Sequence, residues 1–154
     1  MTDIYDPRVT IRGAGETVVL VAGMDGTGEL FYRQVPLLAR SYRVVTYALR
    51  DAADTMAALV ADLVRITGEV VPDGQPVILI GESFGGALAL SFALAHPELV
   101  SALVILNSFP YFAPQRRLRL AIAALRIMPW GAMPLVRRLT ASRMHSRHTH
   151  RQEI

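Results

Sequence analysis

The chain has 154 residues, 52% of them hydrophobic and 19% charged, which is enough for one domain with a real core and excludes general disorder. It contains no cysteine, so disulfides, thiol catalysis and cysteine-ligated metal are excluded. The formal net charge of +3 conceals a division: residues 1–112 hold 7 arginines against 12 acids, and residues 113–154 hold 9 arginines against the single Glu153, an acidic body followed by a basic section.

The first residues, Met1-Thr2-Asp3-Ile4-Tyr5-Asp6, carry two acids and no apolar segment, so no secretory signal is expected and the cytoplasm is the expected location. Val9-Thr10-Ile11 predicts a short leading strand that turns at Gly13-Ala14-Gly15. Thr17 to Ala22 is an uninterrupted β-branched and apolar run ending at Gly23, the pattern of a strand buried on both faces. A glycine-rich loop follows, Gly23-Met24-Asp25-Gly26-Thr27-Gly28. Leu30 to Arg40 predicts one or two short helices, with Pro36 tolerated in the first turn of the second, and Tyr42 to Tyr47 predicts another strand.

Asp54 or Thr55 is placed to cap a helix in which Met56, Leu59, Val60, Leu63, Val64 and Thr67 recur at helical spacing and which Gly68 is expected to end. Pro72 to Gln75 is a turn. Pro76-Val77-Ile78-Leu79-Ile80 then predicts a buried strand and Ala87 to Ala95 an apolar helix, stopped at His96 because Pro97 disfavours a helical predecessor. Ala102 to Leu106 reads as a further buried strand. Alternating strands and helices imply a mostly parallel sheet with helices on both faces, an α/β fold.

Beyond Pro110 the pattern changes. Pro114 to Met128 and Met133 to Met144 predict two arginine-bearing helices separated by Pro129-Trp130-Gly131. Neither offers the ~20 apolar residues of a membrane span. The expected organisation is therefore a core over residues 1–112 and a basic, helical, cap-like segment over 113–154.

The chemistry concentrates at Gly81-Glu82-Ser83-Phe84-Gly85-Gly86, between the Pro76–Ile80 strand and the Ala87–Ala95 helix. A serine on a tight strand-to-helix turn projects its hydroxyl above the sheet, and the flanking glycines are required because a Cβ would clash with the crowded backbones. The helix N-terminus beyond it offers free N–H groups to developing negative charge. With the strands, the glycine loop and this elbow in place, residues 15–112 resemble the α/β-hydrolase superfamily. The Ala22-Gly23-Met24-Asp25-Gly26-Thr27-Gly28 loop is similar to that of a subgroup of bacterial hydrolases and plant acyltransferase-like proteins.

The resemblance implies Ser83 as nucleophile, with the backbone N–H groups of Met24 and Phe84 forming an oxyanion hole. It also implies an acid and a histidine after the next two strands. After Ser83 the chain offers only Glu98 and Glu153 as carboxylates, and its last predicted strand ends near Asn107, so the sequence resembles the front part of a hydrolase without an evident acid and histidine. The implied reaction is hydrolysis of a carboxylic ester or related acyl bond in a small-molecule substrate. Transfer of the acyl group to an alcohol and a non-catalytic hydrolase-like fragment are the alternatives.

The remaining polar residues carry blander readings. His96 fits a helix-end role, and His145, His148 and His150, lacking a cysteine partner, fit solvated positions, so no metal and no cofactor are expected. Asp25 is expected to hydrogen-bond its own loop, and Glu82 to be structural or solvent-facing. Few aromatics interleave with the arginines, which excludes a nucleic-acid reading. Residues 113–154 admit weak contact with an anionic membrane. The last strand, without a following neighbour, admits self-association through an exposed sheet edge.

Overall fold

The structure, a computed structural model, describes residues 6–50, 53–71 and 74–109. Five strands form one sheet: β1 (Val9–Arg12), β2 (Thr17–Val21), β3 (Arg43–Tyr47), β4 (Val77–Glu82) and β5 (Val100–Leu106). Their order is β1-β3-β2-β4-β5, with β1 antiparallel to β3 and every other pairing parallel. The helices are α1 (Gln34–Leu38), α2 (Met56–Val70) and α3 (Phe84–Ala95).

Alternation along the strands builds two cores. Val18, Leu20 and Ala22 of the β2 segment join Val44 and Phe31 on the α1 side. Val19 and Val21 join Val45, Leu79, Leu63, Ile66, Leu88 and Phe92 on the side of α2 and α3. All five β2 residues are buried, as a continuous apolar run between two helical layers requires. From β2 the chain crosses through α1 to β3 on one side, and from β3 through α2 to β4 on the other side of β2. The reversal leaves β2 and β4 adjacent while their outgoing connections diverge to opposite faces, which opens a crevice at their carboxyl ends.

Helix boundaries follow local chemistry more closely than composition. The Thr55 hydroxyl accepts from the Ala58 N–H at 3.1 Å and caps α2. Gly68 does not end that helix, which continues to Val70 because Val70 and Val71 are buried against the core and their packing outweighs the ~1 kcal/mol cost of an internal glycine. Helix α3 begins at Phe84, three residues before the apolar periodicity does, since the elbow turns directly into the helix. The expectation of a buried Ala102–Leu106 strand is corrected. β5 is largely exposed, with Val104, Ile105 and Leu106 at 41, 42 and 45%, because among the described residues it pairs with β4 alone. The predicted helices and the histidine, arginine and membrane readings of residues 113–154 lie outside the described residues.

A partly buried ion-pair network around Asp62, invisible to pattern reading, joins the segment leading into β1 to α2. Arg8 reaches both oxygens of Asp62, at 2.8 and 3.0 Å, and also Asp6 at 2.7 Å. Arg65 reaches Asp6 at 2.6 Å, Asp62 at 3.0 Å and Glu69 at 2.6 Å. The Asp62 side chain is only 2% exposed. Burial alone raises its pKa, but the hydrogen bonds from Arg8 and Arg65 outweigh it and hold the carboxyl below the usual range. Asp6 is likewise held low, chiefly by its hydrogen bond from Arg8.

Candidate functional site

Ser83 stands between the end of β4 and the first turn of α3, with φ 54° and ψ −120°. This backbone region strains a residue with a Cβ, and such strain persists only where the surroundings impose it. They do so here from three directions. The Ser83 N–H donates to the Leu106 carbonyl at 2.9 Å, anchoring the turn to β5, and the Gly86 N–H donates to the Ser83 carbonyl at 3.1 Å. The flanking glycines let strand and helix meet. A Cβ on Gly81 would lie 2.7 Å from the Gly86 Cα, and one on Gly85 would overlap the carbonyls of Val21 and Ala22. The helix thus begins directly against the end of β2.

The glycine-rich loop reaches the same place from β2. A Cβ on Gly23 would stand 3.4 Å from the Ser83 Cβ and 2.6 Å from Glu82 Oε2, so the loop backbone passes beside the serine and the Glu82 carboxyl. The Gly26 N–H donates to the Gly23 carbonyl at 3.1 Å, which closes a tight turn over Met24 and Asp25. Met24 is 88% exposed. Asp25 Oδ2 accepts from the Thr27 hydroxyl at 2.8 Å and from the Thr27 N–H at 3.3 Å, a local turn that accounts for an aspartate here. Phe84, as the first residue of α3, has an N–H with no acceptor inside the helix.

Of the two expectations for Glu82, structural or solvent-facing, the structure favours the first, with the residue half-buried. Its side chain leaves β4 on the face opposite α3 and lines a groove of about 370 Å³ with Leu20, Phe31, Gln34, Leu38 and Leu106. Burial, with a smaller contribution from Asp25, pushes its carboxyl pKa up from the ordinary value. No sequence signal marks this residue, since the middle position of an elbow accepts many side chains.

The sequence-predicted residues therefore fall into two groups. Ser83, Phe84 and the turn that starts at Gly23 lie together at the carboxyl ends of β2 and β4. His96 does not join them: it caps the far end of α3, about 20 Å along the helix axis from Ser83, and its Nδ1 lies 3.5 Å from Glu98. Among the described residues no cluster of three metal-ligating side chains occurs, and no helix is long and apolar enough to cross a membrane.

Known proteins match this arrangement. The model of the alpha/beta hydrolase fold family matches residues 16–132. A Yersinia enterocolitica protein with the provisional name carbamate hydrolase RutD is 32% identical over 120 residues, which are 68% of this chain and 40% of that protein. Its Cronobacter sakazakii namesake is 34% identical over 101 residues, covering 60% of this chain and 37% of that protein. This chain thus spans about two fifths of the length of these relatives.

Among solved structures, a hydrolase from Pseudomonas aeruginosa PA01 superposes with TM-score 0.69 at 23% identity, covering 78% of this chain and 48% of that one. A Mycobacterium tuberculosis H37Rv protein provisionally described as the non-heme bromoperoxidase BpoC superposes with TM-score 0.66 at 28% identity, covering 75% and 46%. The family model spans strands, glycine loop and elbow alike, and by that match the chain belongs to the alpha/beta hydrolase fold family.

Proposed function

We propose that the chain carries the nucleophilic half of a serine hydrolase acting on a carboxylic ester or a related acyl bond. The observation that carries this reading is the strained Ser83 backbone, held between β4 and α3 with the Gly23 turn against its Cβ. A serine confined in this way is presented to a bound carbonyl without having to reorganise.

In this reading the Ser83 Oγ attacks the carbonyl carbon, the carbonyl electron pair moves onto oxygen, and the hydroxyl proton passes to a base. The N–H groups of Met24 and Phe84 receive the oxyanion. Two such donors are worth several kcal/mol, because they are already aimed where charge develops. The name shared by the relatives brings carbamates into the same substrate class, as acyl carbons flanked by nitrogen and oxygen.

The described residues place no histidine near Ser83. A serine without an adjacent base remains a weak nucleophile at neutral pH, so turnover of short-chain nitrophenyl esters by the 154-residue chain is expected near background. The discriminating experiment is labelling with a fluorophosphonate followed by peptide mapping. Slow modification confined to Ser83 and abolished in Ser83→Ala supports the reading. Modification at other serines with Ser83 untouched would overturn it.

A further inference from the structure

The carboxyl beside the candidate nucleophile has no part in the reaction just described. Glu82 Oε2 lies 2.6 Å, and the Ser83 Cβ 3.4 Å, from the point where a Gly23 Cβ would sit. The two are therefore within about 6 Å of each other, a distance at which unit charges separated by protein still interact appreciably. The same point belongs to the turn that carries the Met24 N–H. A negative charge there opposes any second negative charge built on an acyl oxygen at Ser83.

Among the described residues nothing nearby neutralises that charge. Asp25, from the glycine-rich loop, is the charged group that acts on Glu82, and it carries the same sign. Among the described residues, the other elements lining the groove beside the carboxyl present Phe31, Gln34, Leu38, Leu20 and Leu106, none of which titrates. The groove is mostly apolar, so water screens the interaction less than at an open surface.

We propose that Glu82 controls the reactivity of Ser83 through its charge, permitting oxyanion formation when protonated and opposing it when ionised. This deepens the hydrolase reading and rests on it. Glu82 acts on the developing charge through space and transfers no proton. Burial, and to a smaller extent Asp25, shift its ionisation to higher pH than that of a free glutamate.

The test compares rates of fluorophosphonate labelling in the 154-residue chain, its Glu82→Gln and Glu82→Asp variants and Ser83→Ala, from about pH 4 to about pH 8. In the labelling step the Ser83 Oγ–P bond forms, fluoride leaves with the P–F pair, and the hydroxyl proton passes to solvent. The ratio of the Glu82→Gln rate to the wild-type rate cancels the general increase with pH. It is expected near one at the acid end, where both side chains are neutral, and roughly tenfold at the alkaline end.

Glu82→Asp, which keeps the charge, should track wild type. Asp25→Asn should shift the wild-type transition to lower pH by removing the like charge. It provides an independent check if Glu82→Gln folds poorly by circular dichroism. A ratio that stays constant with pH, or an unmoved transition in Asp25→Asn, overturns the proposal while Ser83-dependent labelling leaves the hydrolase reading standing. Absence of labelling at Ser83 in every variant overturns both.

Discussion

Strands β4 and β5 run side by side in parallel, paired from Val77 with Val100 to Glu82 with Leu106, and both are built almost wholly from apolar residues. Their surroundings differ. β4 has a strand on each side and alternates between buried and half-buried positions, whereas β5 has one neighbouring strand among the described residues and exposes most of its length. Apolar composition fixes a preference for burial, and the number of neighbours decides whether it is satisfied. The two strands meet again at the candidate site, because β4 leads into the strained Ser83 and β5 supplies the carbonyl that anchors it. The exposed strand is thus tied to the strand that leads into Ser83.

The most severe way to break this junction is to crowd it. Gly85→Val should abolish cooperative folding, since even a single Cβ there overlaps the Val21 and Ala22 carbonyls and strand backbone cannot yield to it. Loss of the thermal transition by circular dichroism is the expected outcome, and a normal melt would show that strand and helix are less tightly joined. Leu79→Ala, at a fully buried β4 position, should cost about 2–5 kcal/mol in urea unfolding.

Asp62→Asn strikes the ion-pair network and should cost about 3 kcal/mol, because it leaves the arginines beside it with a partner that has lost its charge. The network also sets a pH dependence. Asp6 and Asp62 have folded pKa values below their unfolded ones, so their stabilisation is present above about pH 4 and is lost as pH falls through the folded values. Thermal melts of wild type should therefore decline below about pH 4, and Asp62→Asn should show a weaker decline.

The corresponding change on the exposed strand should be mild. Val104→Lys is expected to alter stability by less than about 1 kcal/mol, because the side chain is already 41% exposed and can lead its charge into water. We propose that the same strand supports self-association, as an uncharged edge invites strand pairing. Val104→Lys should then lower the apparent mass in light scattering. An unchanged monomeric mass for both proteins would remove that proposal. The smallest effect is expected from Tyr47→Phe. The Tyr47 hydroxyl is buried without a hydrogen-bond partner among the described residues, and burial raises its pKa. Deleting it should leave stability unchanged or raise it by up to about 1 kcal/mol.

The elbow was legible because its requirements are local. A serine between a β-branched run and an apolar helix, with small residues where strand and helix touch, can be recognised without knowing what lies across the sheet. The Thr55 cap, the Asp25 turn and the β2 run were readable for the same reason: each rests on hydrogen bonds or burial patterns that repeat within a few residues. Such features identified the α/β class and the position of Ser83.

Tertiary structure decided what depends on partners distant in sequence. Asp62 reads as one polar residue on a helix until Arg8, 54 positions away, meets both its oxygens. β5 reads as a core strand until the sheet order places it at the edge of the described residues. Glu82 reads as filler until the Gly23 turn closes against its carboxyl and Asp25 adds a like charge. Burial and electrostatics are sums over neighbours in space, so a one-dimensional pattern can show which residues need partners but cannot supply them.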